Sequence, residues 1–186
     1  RDWADWVLPD GTPCQMPAWA LPEQENNRWV LRSPSGQIIA QMPEDVWYFE
    51  QTYWPFVNGD DAPERLPEVM SESMWTHIAS PPGPLIAGPE GQQRFRAGAK
   101  ALREQTDRAV IALFGGNLLE MGTFLYRNDL FLMMLAAEPD RVHRFLDGVV
   151  ALHLENLERF LDAVGDQIDI ILFGDDLGMQ QGPQIS

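Results

Sequence analysis

Cysteine is all but missing from this chain. Cys14 stands alone, which excludes an internal disulfide and any cysteine-cluster metal site within the 186 residues and fits a reducing cytoplasm. Positive charge is scarce as well: 13 Lys and Arg face 28 Asp and Glu, a formal net charge of −15. That balance argues against an anionic partner such as nucleic acid or a charged membrane surface. Histidine is limited to His77, His143 and His153. None has a second ligand at a helical or hairpin spacing, so all three read as structural residues, with His143 turned away from the apolar side of its helix and His153 near the edge of it. No apolar run approaches the ~20 residues of a membrane span, and Arg1-Asp-Trp-Ala-Asp5 lacks the charged-then-apolar layout of a secretion signal. The chain begins without Met and stops shortly after a glycine-rich loop, so the expectation is part of a longer protein.

What is abundant is apolar: 45% of residues are hydrophobic, enough for one domain or part of a larger one. The most informative stretch is Ile168-Asp-Ile-Ile-Leu-Phe-Gly-Asp-Asp-Leu-Gly-Met-Gln-Gln-Gly182. Its first six residues read as a short buried strand, and the following glycines and Asp175-Asp176 read as a loop to which that strand delivers two carboxylates. Strand ends of this kind are where α/β sheets handle ligands. The competing reading is that the aspartates start a turn or cap a helix.

Residues 1–27 show no sustained period and read as a packed irregular segment. Arg28–Arg32 and Gln37–Gln41 flank Ser33-Pro-Ser-Gly36 and read as a β-hairpin, ended by Met42-Pro43. Val46 to Phe56 holds six aromatics in eleven residues, suited to core packing or to a pocket or partner surface. Val69 to Ile78 suggests a short helix between two breaks, Asn58–Pro63 and Ser80–Pro84. From Glu90 the rhythm is regular. A helix is expected over Gly91–Gln105, a strand over Ala109–Phe114 ending at Gly115-Gly116-Asn117, helical segments over Leu118–Ala136 and Asp140–Val164, then the second strand. Strand, helices and strand make a βαβ unit with parallel strands, which places Asn117 and Asp175-Asp176 on one rim. Neighbouring strand residues point to opposite faces, so at most one aspartate faces a cleft and the other supports it.

The strings Leu113-Phe-Gly-Gly-Asn-Leu-Leu-Glu-Met-Gly122 and Phe173-Gly-Asp-Asp-Leu-Gly-Met-Gln-Gln-Gly-Pro183 resemble the uroporphyrinogen decarboxylase superfamily, and Asp45 to Phe56 is similar to a decarboxylase-like subgroup of it. The resemblance implies a TIM (β/α)₈ barrel, present here as a fragment with an added β-hairpin: residues 1–84 an irregular segment, hairpin and aromatic run, residues 85–186 the βαβ portion. It implies one of two chemistries. Decarboxylases of the family strip acetate carboxyls from a tetrapyrrole without a cofactor, using an arginine pair that would lie before Arg1. Relatives move methyl groups between small donors and a corrinoid protein, commonly with a zinc whose ligands would lie mostly after Ser186. On this resemblance Asp175 and Asp176 are the catalytic candidates, with Gly115, Gly116, Asn117, Glu120 and Gln180 binding substrate and no metal ligand within the chain. A possible homodimer is implied too.

The residues favour methyl transfer of the two. The rim segments Gly115–Met121 and Gly174–Gly182 hold Glu120, Asp175 and Asp176 but no basic residue. Such a rim repels a polycarboxylate tetrapyrrole and suits a cationic or neutral methyl donor. The third reading is a non-catalytic binding module built on the aromatic run.

Overall fold

The computed structural model describes residues 3–43, 46–78 and 88–185. Three of its four small sheets are antiparallel and one is parallel. Strands β1 (Trp3–Val7) and β2 (Pro13–Pro17) form a hairpin. Its turn is closed by Asp10, whose carboxylate accepts from the Thr12 amide at 2.8 Å. The segment expected to be irregular is therefore paired. A meander follows, β3 (Glu23–Glu25), β4 (Arg28–Arg32), β5 (Ile38–Pro43) and β6 (Glu50–Gln51), in that spatial order. The β4–β5 turn is the one read from Ser33-Pro-Ser-Gly36. Ser33 and Gly36 close it with a 2.9 Å backbone bond, and Gly36 takes the left-handed conformation that glycine allows at little cost.

The helical half begins with two short helices, α1 (Leu66–Val69) and α2 (Met74–Ile78), in place of one over Val69–Ile78. The expected break at Ser80–Pro84 lies outside the described residues, as does the side chain of His77. Helix α3 (Pro89–Gln105) starts with proline in its first turn, where the missing N–H costs nothing. Strand β7 (Ile111–Gly115) leads through α4 (Leu119–Tyr126), α5 (Asn128–Ala137) and α6 (Pro139–Val164) to β8 (Ile170–Phe173), which pairs parallel to β7 with Ile111 opposite Ile170 and Leu113 opposite Leu172. A small hairpin, β9 (Gly178–Met179) and β10 (Gly182–Pro183), follows.

The expected helix over Leu118–Ala136 is two. Arg127 sits at φ 76° between α4 and α5, and the turn it makes lays the Phe131 ring on the bare backbone of Gly122. A Cβ on Gly122 would come within 2.0 Å of that ring, so glycine is required by close approach.

The barrel expectation is overturned. Among the described residues there is no closed barrel: β7 and β8 form a two-stranded sheet whose outer edges pair with no strand, and the other strands are used up in local antiparallel pairs. Closure needs strands that continue one sheet around an axis, whereas the strands of the hairpin and the meander pair only among themselves. Among the described residues the fold is a small α/β arrangement of short sheets and six α-helices, and the expected added hairpin is part of a four-stranded antiparallel sheet.

Two apolar clusters matter for the rim. The larger joins Phe56, Leu66 and Val69 to Met121, Leu125, Tyr126, Phe131 and Phe145, so residues on both sides of position 85 share one core. Tyr126 is its centre, with ring centroids 5.2 Å from Phe145 and 5.3 Å from Phe56, and its hydroxyl donates to Asp61 at 2.6 Å. Arg141 donates to the same oxygen. Burial pushes the Asp61 carboxyl up, but those two donors and the Arg141 charge outweigh it and hold the carboxyl below its usual range. The second cluster places Phe114, Ala112 and Ile171 on Phe160, Ala163 and Val164 of α6 and on Phe95 and Ala99 of α3. Helix α6, about 39 Å long at 1.5 Å per residue, thus serves both clusters, its N-terminal half under the first and its C-terminal half under the sheet.

Candidate functional site

The parallel pairing brings the two glycine-rich strand ends together. Gly115, buried at the end of β7, accepts from the Gly174 amide at 2.9 Å, which ties the two exits directly. The next residue, Gly116, is held at φ 73°, and a Cβ there would meet Phe173 at 3.1 Å. Left-handed backbone and a close ring both demand glycine, and the chain leaves β7 in a turn so tight that Asn117 ends over the start of α4.

Asp175 lies at the centre of this construction. One carboxylate oxygen accepts from the amides of Leu118 and Leu119 at 2.9 and 2.7 Å, and the other from Glu120 at 2.9 Å. The first amides of a helix have no partner within it and carry the positive end of its dipole. A half-buried carboxylate answers both needs, although it comes from 55 to 57 residues away in sequence. Capping was the competing reading of the aspartates, with the difference that Asp175 caps an earlier helix across the sheet rather than one that follows it.

Asp176 is separate from this. It is exposed, and its nearest polar contact is the Gly178 amide at 3.4 Å. Asn117 donates its side-chain amide to the Glu120 carboxylate, so those two form a polar pair beside the helix start. Gln180 is exposed in the turn between β9 and β10, and its side chain makes no hydrogen bond among the described residues. The structure therefore gathers Gly115, Gly116, Asn117, Glu120 and Asp175 into one rim, and leaves Asp176 and Gln180 on the loop and hairpin that leave it.

A residue that the sequence reading set aside belongs here. His153 of α6 is buried, and its Nε2 lies 2.9 Å from the Asn117 carbonyl. A carbonyl can only accept, so Nε2 carries the proton and Nδ1 is the bare acceptor, buried and with no partner among the described residues. Burial lowers the imidazole pKa, and the Asn117 bond and the charge of Asp175 act against that shift. The expected edge position is corrected: His153 follows Val149 by four residues and precedes Phe160 by seven, which is the spacing of the buried stripe itself. With Asn156 it makes a polar interruption in an apolar stripe, and that interruption was the available signal. His143 is exposed, as read.

Among the described residues no group of three or more His, Cys, Asp and Glu is placed to hold a metal ion. The donors at the rim agree with this: both oxygens of Asp175 are engaged by amides, and His153 turns a proton toward Asn117. Zinc does not fit the rim. A cavity of about 660 Å³ lies elsewhere, between α3 and the outer edge of β7, lined by Phe95, Ala99, Leu102, Ile111 and Leu113, and none of the rim side chains reaches it. The aromatic run divides: Phe56 is fully buried in the larger core, while Trp47 and Tyr48 are exposed. No helix of the described residues is long and apolar enough to cross a membrane.

No family model matches the chain, and neither a curated protein nor a solved structure does.

Proposed function

We propose that the rim belongs to an enzyme of the uroporphyrinogen decarboxylase superfamily kind, working in the cytoplasm and moving a methyl group between a small methylated compound and a corrinoid carried by a partner protein. One observation carries the reading: the two motif-bearing strand ends meet, and Asp175 locks one to the other while Asp176 stays free. The proposal rests on this rim and on no closed barrel.

The division of labour follows from the contacts. Asp175 has all its acceptor capacity engaged in holding Leu118 to Glu120, so it positions the rim rather than exchanging protons. Asp176 is the carboxylate with room to hold or move a proton at a substrate heteroatom. The Asn117 and Glu120 side chains offer an amide and a carboxylate for orienting a bound group, and Gln180 an additional amide. His153 fixes the Asn117 carbonyl from behind. Three acids and no base at the rim favour a cationic or neutral methyl donor.

The test compares Asp176→Asn with the parent in methyl transfer to reduced cobalamin, followed by absorbance, with tetrapyrrole decarboxylation run in parallel. Turnover in the variant is expected to fall roughly 10²-fold with the melting temperature unchanged, the size of a lost general acid–base contribution. Unchanged turnover removes Asp176 from the chemistry. Activity on the tetrapyrrole alone replaces methyl transfer with decarboxylation. Activity in neither assay leaves the exposed Trp47 and Tyr48, and with them a binding module, as the better reading.

A further inference from the structure

Helix α3 carries four cations, and among the described residues three of them are answered by acids: Arg96 by Asp166 at 3.4 Å, Lys100 by Glu104 at 3.8 Å and Arg103 by Asp169 at 2.7 Å. Arg94 is the fourth. It makes no ion pair among the described residues, although acids outnumber bases 28 to 13, and it is the only charged residue lining the 660 Å³ groove between α3 and β7. The rest of that lining is apolar or small, with Phe95, Leu102, Ile111 and Leu113 along it. The volume lies within the ~300–1,000 Å³ of small-molecule sites, which pair apolar walls with a few placed polar groups.

Gly98 is a second, independent observation. It stands inside α3 with ordinary helical backbone, where glycine weakens a helix relative to alanine, and a Cβ on it would meet no atom within 4 Å. Neither a left-handed turn nor a close neighbour calls for glycine there, unlike Gly116 and Gly122. Gly98 lines the groove, so what its missing side chain leaves open is the groove itself. Arg94, Gly98 and Leu102 follow at intervals of four and form one line along the helix, about 12 Å from first to last at 1.5 Å per residue. A cation stands at one end of that line, bare backbone in the middle and an exposed apolar side chain at the other.

We propose that this groove binds a monocarboxylic acid with an unbranched apolar tail, of the medium-chain fatty acid class. The carboxylate pairs with the Arg94 guanidinium, whose planar fork matches two oxygens at once. The tail crosses the bare backbone of Gly98 and lies against Leu102, Ile111 and Leu113, covering side chains that are half or more exposed in the free protein. A ligand with further anionic groups is disfavoured, since the groove holds no other base and a chain of charge −15 repels a polyanion. The site lies apart from the rim and does not rest on the methyl-transfer reading.

Isothermal titration calorimetry of the chain with octanoate, hexanoate and 1-octanol tests it. Octanoate is expected to saturate one site below about 1 mM, and hexanoate, shorter by two methylenes, to bind roughly 10-fold more weakly. Arg94→Gln should weaken octanoate by about 10-fold or more and leave 1-octanol, which has the same tail and no charge, within about twofold. Arg94 is exposed, so that variant is expected to melt with the parent. Gly98→Leu should abolish binding of acid and alcohol while melting no lower than the parent, because leucine is the better helix former and the space before Gly98 is open. The inference is overturned if octanoate gives no saturable heat up to about 1 mM. It is overturned too if Gly98→Leu leaves octanoate affinity unchanged, or if Arg94→Gln weakens the acid and the alcohol alike.

Discussion

Removing the Asp175 carboxylate should destabilise the protein by an amount that its three acceptors define. In Asp175→Ala the amides of Leu118, Leu119 and Glu120 lose their partner. Leu118 and Glu120 are partly exposed, so water reaches their amides and each loss costs about 0.5 kcal/mol, the low end for a net hydrogen bond. Leu119 is 6% exposed, and its stranded amide costs about 1–3 kcal/mol. Loss of a negative charge at the helix start adds about 0.3–1 kcal/mol. The sum is roughly 2–5 kcal/mol, or a melting temperature lower by about 4–20 °C in a chain of this size. Asp175→Asn is milder. Its carbonyl oxygen can still serve Leu118 and Leu119, but its NH₂ faces the Glu120 amide, donor against donor, so about 1–2 kcal/mol is lost. Urea denaturation followed by circular dichroism gives the order parent, Asn, Ala, with one common slope. An alanine variant within about 0.5 kcal/mol of the parent would refute the capping role.

Two other outcomes are expected from the same packing. Gly122→Ala forces a methyl into the Phe131 ring and should cost about 3 kcal/mol by overpacking, read as a melting temperature lower by roughly 6–12 °C and partly recovered by adding Phe131→Leu. His153 is held neutral by burial below its ordinary pKa of 6.5, so its contribution is full above pH 6.5 and is lost as pH falls through the lowered folded value. Melting temperatures across that window should decline in the parent and decline less in His153→Gln, which keeps a side-chain donor for the Asn117 carbonyl.

Parts of this arrangement were legible in the sequence for identifiable reasons. The β7 and β8 strands announce themselves because each is a short apolar run that ends in glycine, and a chain that leaves one and returns through long helices has to pair them parallel. The turn at Ser33–Gly36 follows from proline and glycine at positions that accept only certain dihedrals. The β1–β2 hairpin was hidden, since Pro13 and Pro17 bracket one strand and prolines usually argue against pairing. Closure of a barrel is a long-range property that two local motifs do not determine. The roles of Asp175 and Asp176 were hidden for a sharper reason. Adjacent residues at a strand exit exchange faces with a shift of one position, and the register here slips between Leu113 and Gly115. Only the folded chain shows which carboxylate reaches α4.

That choice decides what the rim can attract. A helix start with free amides is a ready anion site, and an unfilled one at α4 would draw a carboxylate or phosphate group into the place where Asp175 now sits. Because the chain supplies its own anion there, the positive end of the helix is already answered, and what faces outward is the charge of Asp176 and Glu120 with no base beside them. The sign of the rim is thus set by a contact that is itself structural. Emptying it should reverse the preference. In Asp175→Ala, formate fits the vacated position and can restore the lost amide bonds, so added formate should raise the melting temperature of the variant by several degrees while moving the parent little. The effect should saturate, as binding to one site does. An equal response from parent and variant would mean that formate acts on the whole surface, and that the amides of Leu118 to Glu120 are not what Asp175 holds in place.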